Sequence, residues 1–210
     1  MQTRAAQPGQ VRLERYNNAW FRRGRPRVVE ALWIVVQACF VSSWIPGAAH
    51  RRFLLRLFGA KIGRGGDMKP GVRVKFPWRL SIGSDSWIGE SVWIDNLADV
   101  IIGSNVCISQ GAYICTGSHD WSSPAFSLIV KPVKIGDEAW VAAQAMVGPG
   151  VSVGNGSVLC FGSAALQDLD AWTIYRGAPA IAVRKRTIFE AAEMDTPPIR
   201  GLPNSQFRGS

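Results

Sequence analysis

A six-residue repeat that begins at Ile62 constrains the fold of this chain more than any other feature of its sequence. Each unit opens with an aliphatic residue or Met, and its fifth residue is Ser, Ala or Val in 12 of the 15 units. Six residues suffice for one short strand and one turn, so the opening side chains are expected to point into a common core. The units open at Ile62, Met68, Val74, Ile82, Ile88, Ile94, Ile102, Ile108, Ile114, Ile135, Val141, Val147, Val153, Leu159 and Ala165.

The repeat units group in threes, which predicts triangular coils. The coils are 62–79, 82–99, 102–119, 135–152 and 153–170, and the interruptions between them are 80–81, 100–101 and 120–134. All three interruptions fall at the same corner, where extra residues disturb no stacked strand. Such coils stack at roughly the strand spacing of 4.8 Å. The sequence therefore predicts an all-β fold, a parallel β-helix of about five triangular coils.

The rest of the chain is divided by composition. The tail is rich in Pro, Gly and polar residues, which bury too little apolar surface to fold. The predicted segments are a basic N-terminal segment with an apolar helix (1–61), the β-helix (62–170) with its protruding loop (120–134), a C-terminal extension with a short helix (171–194) and a disordered tail (195–210).

The N-terminal segment combines positive charge with the longest apolar run in the chain, residues 31–46. The formal net charge of the chain is +9, and arginines are concentrated in this segment. The apolar run is shorter than the roughly 20 residues that a helix needs to span a bilayer. Three interpretations stay open: a helix lying on a membrane surface through residues 20–57, a helix packed on its own protein or a partner subunit, and a true span. A solvated tail is a further interpretation of the basic end, whereas no stacking platform or reading motif supports a nucleic-acid partner.

The cysteines favour a reducing compartment. They show no paired or metal-like spacing, which predicts reduced, buried thiols in a cytoplasmic protein, at the inner face of the membrane if the N-terminal segment docks there. These residues are Cys39, Cys107, Cys115 and Cys160.

Several motifs spread over about residues 28–186 resemble those of a known superfamily. They read LLRLFGAKIG, FPWRLSIG, WIGESVWIDNL, ISQGAYICTGSHD, KIGDEAWVAAQAMVGPGVSVG and RGAPAIAVRKR. Together they are similar to the hexapeptide-repeat acyltransferases, and among these to the colanic-acid type of exopolysaccharide O-acetyltransferase. The resemblance implies left-handed coils, a homotrimer, acetyl-CoA as the acyl donor and no metal.

His119, the last residue of the third predicted coil, stands directly before the protruding loop, and the resemblance implies that it is the catalytic base. The chemistry agrees, because a sugar hydroxyl attacks a thioester efficiently only when a positioned base takes its proton. An imidazole suits that task near neutral pH. A corner histidine bonded only to its own turn is the alternative. Asp120, beside it in sequence, and Asp99, at the equivalent corner one coil earlier, are candidates to orient the imidazole.

Two further residues are candidates for acceptor binding. Asn96 stands where the resemblance implies an acidic acceptor-binding residue, and Asp95 precedes it. The competing interpretation is that corner Asp and Asn residues form turns.

The resemblance also implies where acetyl-CoA binds, in a groove between neighbouring prisms and mainly through backbone groups. The corresponding residues are Ala142, Ala143 and Cys160. The Thr-Lys pair that is common after the last coil is replaced by Leu166-Gln167, so Arg184, Lys185 and Arg186 are candidates to bind the CoA phosphates. A solvated basic turn is the alternative for these three.

Other functions on the same prism are weighed against this one. A zinc carbonic anhydrase needs three histidine ligands, and the chain has two histidines. A nucleotidyltransferase needs a glycine-rich nucleotide domain, for which the residues before Ile62 are too few. A non-catalytic scaffold remains, as does an acetyltransferase for a small molecule or an amino sugar. The sequence as a whole indicates an O-acetyltransferase acting on a saccharide or lipid-linked saccharide in exopolysaccharide or surface-polysaccharide biosynthesis.

Overall fold

The computed structural model describes residues 10–189, which form a left-handed parallel β-helix capped by two helices. Its three faces are sheets of short strands, all paired parallel except the last strand of the second face. The first face contains β1 (Lys61–Ile62), β4 (Leu80–Ile82), β7 (Val100–Ile102), β12 (Val133–Ile135) and β15 (Ser152–Val153). The second contains β2 (Asp67–Met68), β5 (Trp87–Ile88), β8 (Cys107–Ile108), β13 (Trp140–Val141), β16 (Val158–Leu159), β18 (Thr173–Arg176) and β19 (Ile181–Lys185). The third contains β3 (Arg73–Val74), β6 (Trp93–Asp95), β9 (Tyr113–Cys115), β14 (Met146–Val147) and β17 (Ala164–Ala165).

The core of the prism consists of the residues that open the six-residue units. Ile82, Ile102 and Ile135 are stacked in register on the first face, and all three side chains are buried. Every other opening residue is also buried except Ile62, which packs against the core from its edge. The prediction of a β-helix with inward-pointing unit openers is therefore confirmed.

The prism extends one partial turn beyond the predicted fifth coil. Leu169 forms a bridge with Val153, which begins a sixth turn on the first face. Strand β18 then pairs with β16 on the second face, and β19 folds back antiparallel on β18. Thr173–Arg176 and Ile181–Lys185 are thus strands of the predicted C-terminal extension 171–194, and its described part, up to Phe189, contains no helix. The predicted tail 195–210 lies outside the described residues.

The helices close the open end of the first coil. They are α1 (Arg27–Val36), which continues into a π-helical turn (Gln37–Val41), and α2 (Ala49–Leu57). Trp33 Nε1 donates to the carbonyl oxygen of Val74 at 2.8 Å, and Gln37 Oε1 accepts from the amide of the same residue at 2.6 Å. Since no strand precedes the first coil, these side chains satisfy backbone groups that would otherwise be unpaired.

A buried arginine connects the two helices. The Arg51 side chain is 1% exposed, and its guanidinium donates to the carbonyl oxygens of Val41, Ser43, Ile45 and Gly47. Burial lowers the pKa of Arg51. The group holds the segment between α1 and α2 in one conformation by binding four of its carbonyls.

The described residues contain no helix long and apolar enough to cross a membrane. Their four cysteines are free thiols. Cys39 is exposed on the π-helical turn, which corrects the prediction that all four are buried, and the other three are partly buried.

Candidate active site

A two-stranded hairpin leaves the prism at the corner between the third and first faces. Its strands are β10 (Gly117–His119) and β11 (Leu128–Val130), paired antiparallel with His119 opposite Leu128. The chain therefore departs three residues before the predicted start of the loop at Asp120. His119 was predicted to end the third coil, but it lies on the first strand of the hairpin because the backbone pairs with β11.

The hairpin fixes the position and the tautomer of His119. The imidazole Nδ1 lies 2.8 Å from the carbonyl oxygen of Phe126, and the two rings are stacked with their centroids 4.4 Å apart. A carbonyl oxygen can only accept, so Nδ1 carries the proton and donates it in this bond. The lone pair of Nε2 is then left as the basic site of the ring.

Phe126 adopts an unusual backbone conformation to make this contact. Its φ is 49°, in the left-handed region that non-glycine residues rarely occupy. Its amide donates to the carbonyl of Ser123 at 2.9 Å, which closes the turn at the tip of the hairpin. Six other described non-glycine residues also have positive φ, so this conformation belongs to the turn and does not by itself mark a functional site.

Asp120 does not orient the imidazole as predicted. Its carboxylate accepts hydrogen bonds from the amide and the hydroxyl of Ser122, and these bonds lower the pKa of Asp120. Its amide donates to the carbonyl of Ser127 at 2.8 Å. The residue instead stabilises the hairpin turn that presents Phe126 to His119.

Within residues 10–189, none of the other three predicted polar residues bonds to His119, whose imidazole is bonded to Phe126. Asp99 lies on the first face, where its carbonyl accepts from the amide of Val133 at 3.1 Å. Asn96 is completely buried, and its amide bonds both the N–H and the C=O of Phe76. Asn96 therefore bridges two coils and is not available to an acceptor, which corrects that prediction.

Asp95 belongs to a polar cluster on the third face. One carboxylate oxygen lies 3.0 Å from Lys75 Nζ in an ion pair, and the other accepts from the Tyr113 hydroxyl at 3.2 Å. Burial, together with the neighbouring Cys115 and Asp95, raises the pKa of Tyr113. The Asp95 carboxylate thus contacts Lys75 and Tyr113 of its own face, and its assignment to acceptor binding stays a prediction.

Tyr16 is a neighbour of His119 that sequence reasoning missed. The centroids of the two rings are 5.6 Å apart, and the amide of Arg12 donates to the carbonyl of Pro124 at 2.7 Å. Residues 12–16 therefore lie along the hairpin. No local signal could have revealed this contact, because the segment has no repeat and is remote in sequence from its partner.

The residues predicted to bind acetyl-CoA lie together at a different corner, between the second and third faces. The amide of Ala142 donates to Leu159, and the carbonyl of Ala143 accepts from Gly162. Cys160 occupies the same corner one coil further on, where its amide donates to Tyr175 at 2.9 Å. Within residues 10–189, the amide of Ala143 makes no hydrogen bond, so it is free to donate to a ligand.

The three predicted phosphate-binding residues are not equivalent. Lys185 donates to the hydroxyl of Thr173 at 2.8 Å, and Arg186 donates to the carbonyls of Glu138 and Gly156. These two side chains hold β19 and the following residue against the prism. The Arg184 side chain is exposed, and its guanidinium makes no hydrogen bond or ion pair with the described residues, so it alone of the three is free for an anion.

A shallow pocket of 210 Å³ lies on the second face beside the Ala143 corner. Its lining includes the apolar side chains of Trp87 and Ile88, the thiol of Cys107 and the polar residues Lys69 and Gln110. His119 is not among its lining residues, since the histidine lies at another corner of the prism. Within one chain, the His119 imidazole and the corner of Ala142 and Ala143 are therefore apart.

The comparisons with known proteins agree with this architecture. The chain is 40% identical over 166 residues to the protein named colanic acid biosynthesis acetyltransferase WcaF of Escherichia coli K12, covering 78% of this chain and 91% of WcaF. It is 31% identical over 121 residues to a chloramphenicol acetyltransferase of Escherichia coli, covering 48% of this chain and 58% of that protein. No protein-family model matches the chain.

Among solved structures, the chain is similar to the hexapeptide-repeat acetyltransferase VCA0836 of Vibrio cholerae in complex with acetyl coenzyme A. The TM-score is 0.71 at 23% identity, and the match covers 77% of this chain and 89% of that one. The likeness supports the β-helix fold.

Proposed function

This chain belongs to the colanic-acid type of hexapeptide-repeat acetyltransferases, and from that premise we propose that it moves an acetyl group from acetyl-CoA to a saccharide hydroxyl. The chain is an acetyltransferase, and we propose its acyl donor, its acceptor and the residues that carry out the transfer. The observation that carries the assignment of the site is the hydrogen bond from His119 Nδ1 to Phe126, which leaves Nε2 as a base on a protruding hairpin.

His119 acts as the general base in this proposal. Its Nε2 takes the proton of the acceptor hydroxyl as the oxygen attacks the thioester carbonyl, and the C–S bond then breaks. The proton passes from Nε2 to the departing thiolate, so the products are the acetyl ester and CoA–SH. The Nδ1–H bond to Phe126 stabilises the imidazolium that forms between the two transfers.

The corner of Ala142 and Ala143 fits an acyl-CoA. Small side chains let a ligand approach the backbone closely, and the free amide of Ala143 can donate to a carbonyl oxygen that gains negative charge during attack. The exposed guanidinium of Arg184 can bind a phosphate of the same donor. We assign no donor contact to Lys185 or Arg186, because both are already bonded within the prism.

In this proposal two copies of the chain together form a complete site. His119 projects from the corner between the third and first faces, whereas Ala143 lies between the second and third. A homotrimer that brings the hairpin of one copy beside the Ala143 corner of the next would unite base and donor. Closed rotational symmetry repeats the same site three times.

We propose a lipid-linked saccharide of polysaccharide biosynthesis as the acceptor. The supporting fact is the high identity to WcaF, whose name refers to colanic acid biosynthesis. Tyr16, whose ring lies beside the imidazole, and the exposed Trp121 in the hairpin turn offer flat apolar surfaces to the sugar ring. Such an acceptor places the reaction at the inner face of a membrane.

The test is release of CoA from acetyl-CoA in the presence of a panel of free sugars, nucleotide sugars, an amino sugar and chloramphenicol. We expect turnover that depends on a saccharide with a free hydroxyl, with an O-acetyl product identified by mass spectrometry. Turnover only with chloramphenicol or only at an amine would replace the proposed acceptor class. Absence of both turnover and acetyl-CoA binding would favour a scaffold.

A further inference from the structure

The two helices that cap the prism expose an apolar surface that the fold does not use. Nine large apolar side chains of this segment are exposed, and Trp44 is the most exposed at 74%. They are Val28, Leu32, Ile34, Val35, Phe40, Trp44, Ile45, Phe53 and Leu57. We call them the basal face. Leu32 of α1 and Leu57 of α2 line one groove, and exposed apolar clusters of this kind mark interaction sites in soluble proteins.

The basal face points away from the prism because the opposite side of the helices is the one that packs on it. Trp33 is buried and bonds Val74, while Leu32 and Val35 on the same helix are exposed. Helix α1 is therefore apolar on both sides. Apolar side chains that face away from the core in this number are normally covered by a partner or by lipid.

Positive charge surrounds the basal face. Between residues 20 and 64 the sequence has nine Lys and Arg residues, of which only Arg51 is buried, but one acidic residue, Glu30, which is paired with Arg23 at 2.5 Å. A groove of 510 Å³ is lined by Arg25, Leu32 and Leu57, among others, so a guanidinium borders the apolar side chains directly. Arg22, Arg23 and Arg27 line a second, more polar groove in the same segment.

We propose that the basal face docks on the surface of an anionic lipid bilayer, with its apolar side chains between the headgroups and its arginines on the lipid phosphates. An apolar face bordered by basic residues is the composition of interfacial helices. Trp44 is suited to the boundary between headgroups and acyl chains, where tryptophan is enriched. The inference deepens the proposed function, since a lipid-linked acceptor lies at such a surface.

A second copy of the chain fits this face less well than lipid does. Two basal faces brought together would oppose their arginines, and like charges across an interface cost several kcal/mol. Anionic headgroups instead neutralise the arginines while the apolar side chains leave water. Charge complementarity therefore selects lipid as the occupant.

The experiment is flotation of the full chain with vesicles of phosphatidylcholine alone or with 30% phosphatidylglycerol, at low and high salt. We expect binding to the anionic vesicles that falls as salt screens the charges. The variant Arg25→Ala/Arg27→Ala should bind about 25-fold more weakly, because each basic residue near the membrane surface strengthens binding by a factor of about five. The variant Leu32→Gln/Leu57→Gln should bind at least tenfold more weakly, because it removes apolar side chains from the groove.

The matched control is Ile181→Gln/Val183→Gln, which changes two exposed aliphatic side chains on β19 at the other end of the prism. It should bind vesicles as the wild type does. Absence of wild-type binding to anionic vesicles, or equal binding by Leu32→Gln/Leu57→Gln, would overturn the proposal. A wild-type dimer in sedimentation that Leu32→Gln/Leu57→Gln dissociates would assign the face to a second copy and overturn it as well.

Failure of the docking proposal can be told apart from failure of the proposed function. CoA release with a water-soluble sugar is measured without vesicles, and the basal-face variants should keep the wild-type rate in that assay. If the wild type does not bind vesicles but keeps this rate, only the docking proposal fails. If the wild type shows no CoA release, the proposed acetyl transfer fails and the vesicle result is unaffected.

Discussion

Replacing His119 by Asn separates the chemistry of the imidazole from its structural bond. The Asn amide nitrogen reaches the position of Nδ1 and can donate to the Phe126 carbonyl, a bond worth about 0.5–1.5 kcal/mol. Asn has no counterpart of Nε2, so the base is lost while the hairpin keeps its anchor. Removal of a general base lowers the rate by about 10²–10⁴-fold, equivalent to about 3–5.5 kcal/mol in the activation free energy.

The comparison with His119→Ala gives the second half of the argument. Alanine loses the same base, and it also loses the 2.8 Å bond and the stacking on Phe126 at 4.4 Å. We therefore expect similar kcat losses in both variants, with weaker hairpin protection from hydrogen exchange only in the alanine variant. Acetyl-CoA binding, measured by calorimetry, should be unchanged in His119→Asn. A kcat within threefold of wild type for that variant would refute the role of Nε2.

Three further predictions concern the residues that hold the site and the cap. Arg51→Met leaves four carbonyls without their donor and should destabilise the cap by at least about 3 kcal/mol, seen as hydrogen exchange faster in residues 27–57 than in the prism; uniform exchange would contradict it. Asn96→Leu leaves the N–H and C=O of Phe76 unpaired and should cost about 2–4 kcal/mol in urea unfolding, whereas a loss below 1 kcal/mol would contradict the bridging role. Because the pKa of Asp120 is lowered in the folded hairpin, its bonds to Ser122 stabilise the hairpin at pH values above the ordinary pKa of 3.8. This stabilisation is lost only as the pH falls through the lowered pKa of the folded state. Asp120→Asn should therefore leave the shape of the pH–rate profile unchanged from about pH 5 to about pH 9, the usual range of such assays. A shifted acid limb would contradict this.

The prism could be predicted from the sequence because its repeat places one buried residue in every unit. Ile82, Ile102 and Ile135 are equivalent by period alone, and the structure stacks them. The sixth turn could not be predicted, because Thr173–Arg176 has no six-residue pattern and is defined by its pairing with β16. A period identifies strands that repeat a neighbour, but it does not identify a strand that ends a sheet.

The candidate site was less predictable because it depends on the direction of individual side chains. The sequence placed His119 next to an excursion, and that excursion exists as a hairpin. It could not show that Asn96 turns inward to bond Phe76 or that Asp120 turns toward Ser122. Tyr16 reaches His119 through a contact between distant parts of the chain, which no local pattern encodes.

The separation of His119 from Ala143 leads to a last prediction, which is complementation between two inactive variants. In His119→Asn the base is missing, and in Ala143→Trp a large side chain fills the corner proposed for the donor. If each site combines the hairpin of one copy with the Ala143 corner of the next, a trimer of mixed subunits contains some sites with both parts intact. Random mixing of equal amounts makes such sites about one quarter of the total, as expected for a ring of identical contacts.

Co-expression of the two variants should therefore restore about a quarter of the wild-type CoA release, although each variant alone is inactive. The control is His119→Asn co-expressed with a chain that carries both substitutions. Neither chain in this mixture has His119, so no site contains the base. If the site lay within one chain, no mixture would recover activity. A recovery near one quarter, absent in the control, would show that the imidazole and the Ala143 corner act across a subunit boundary.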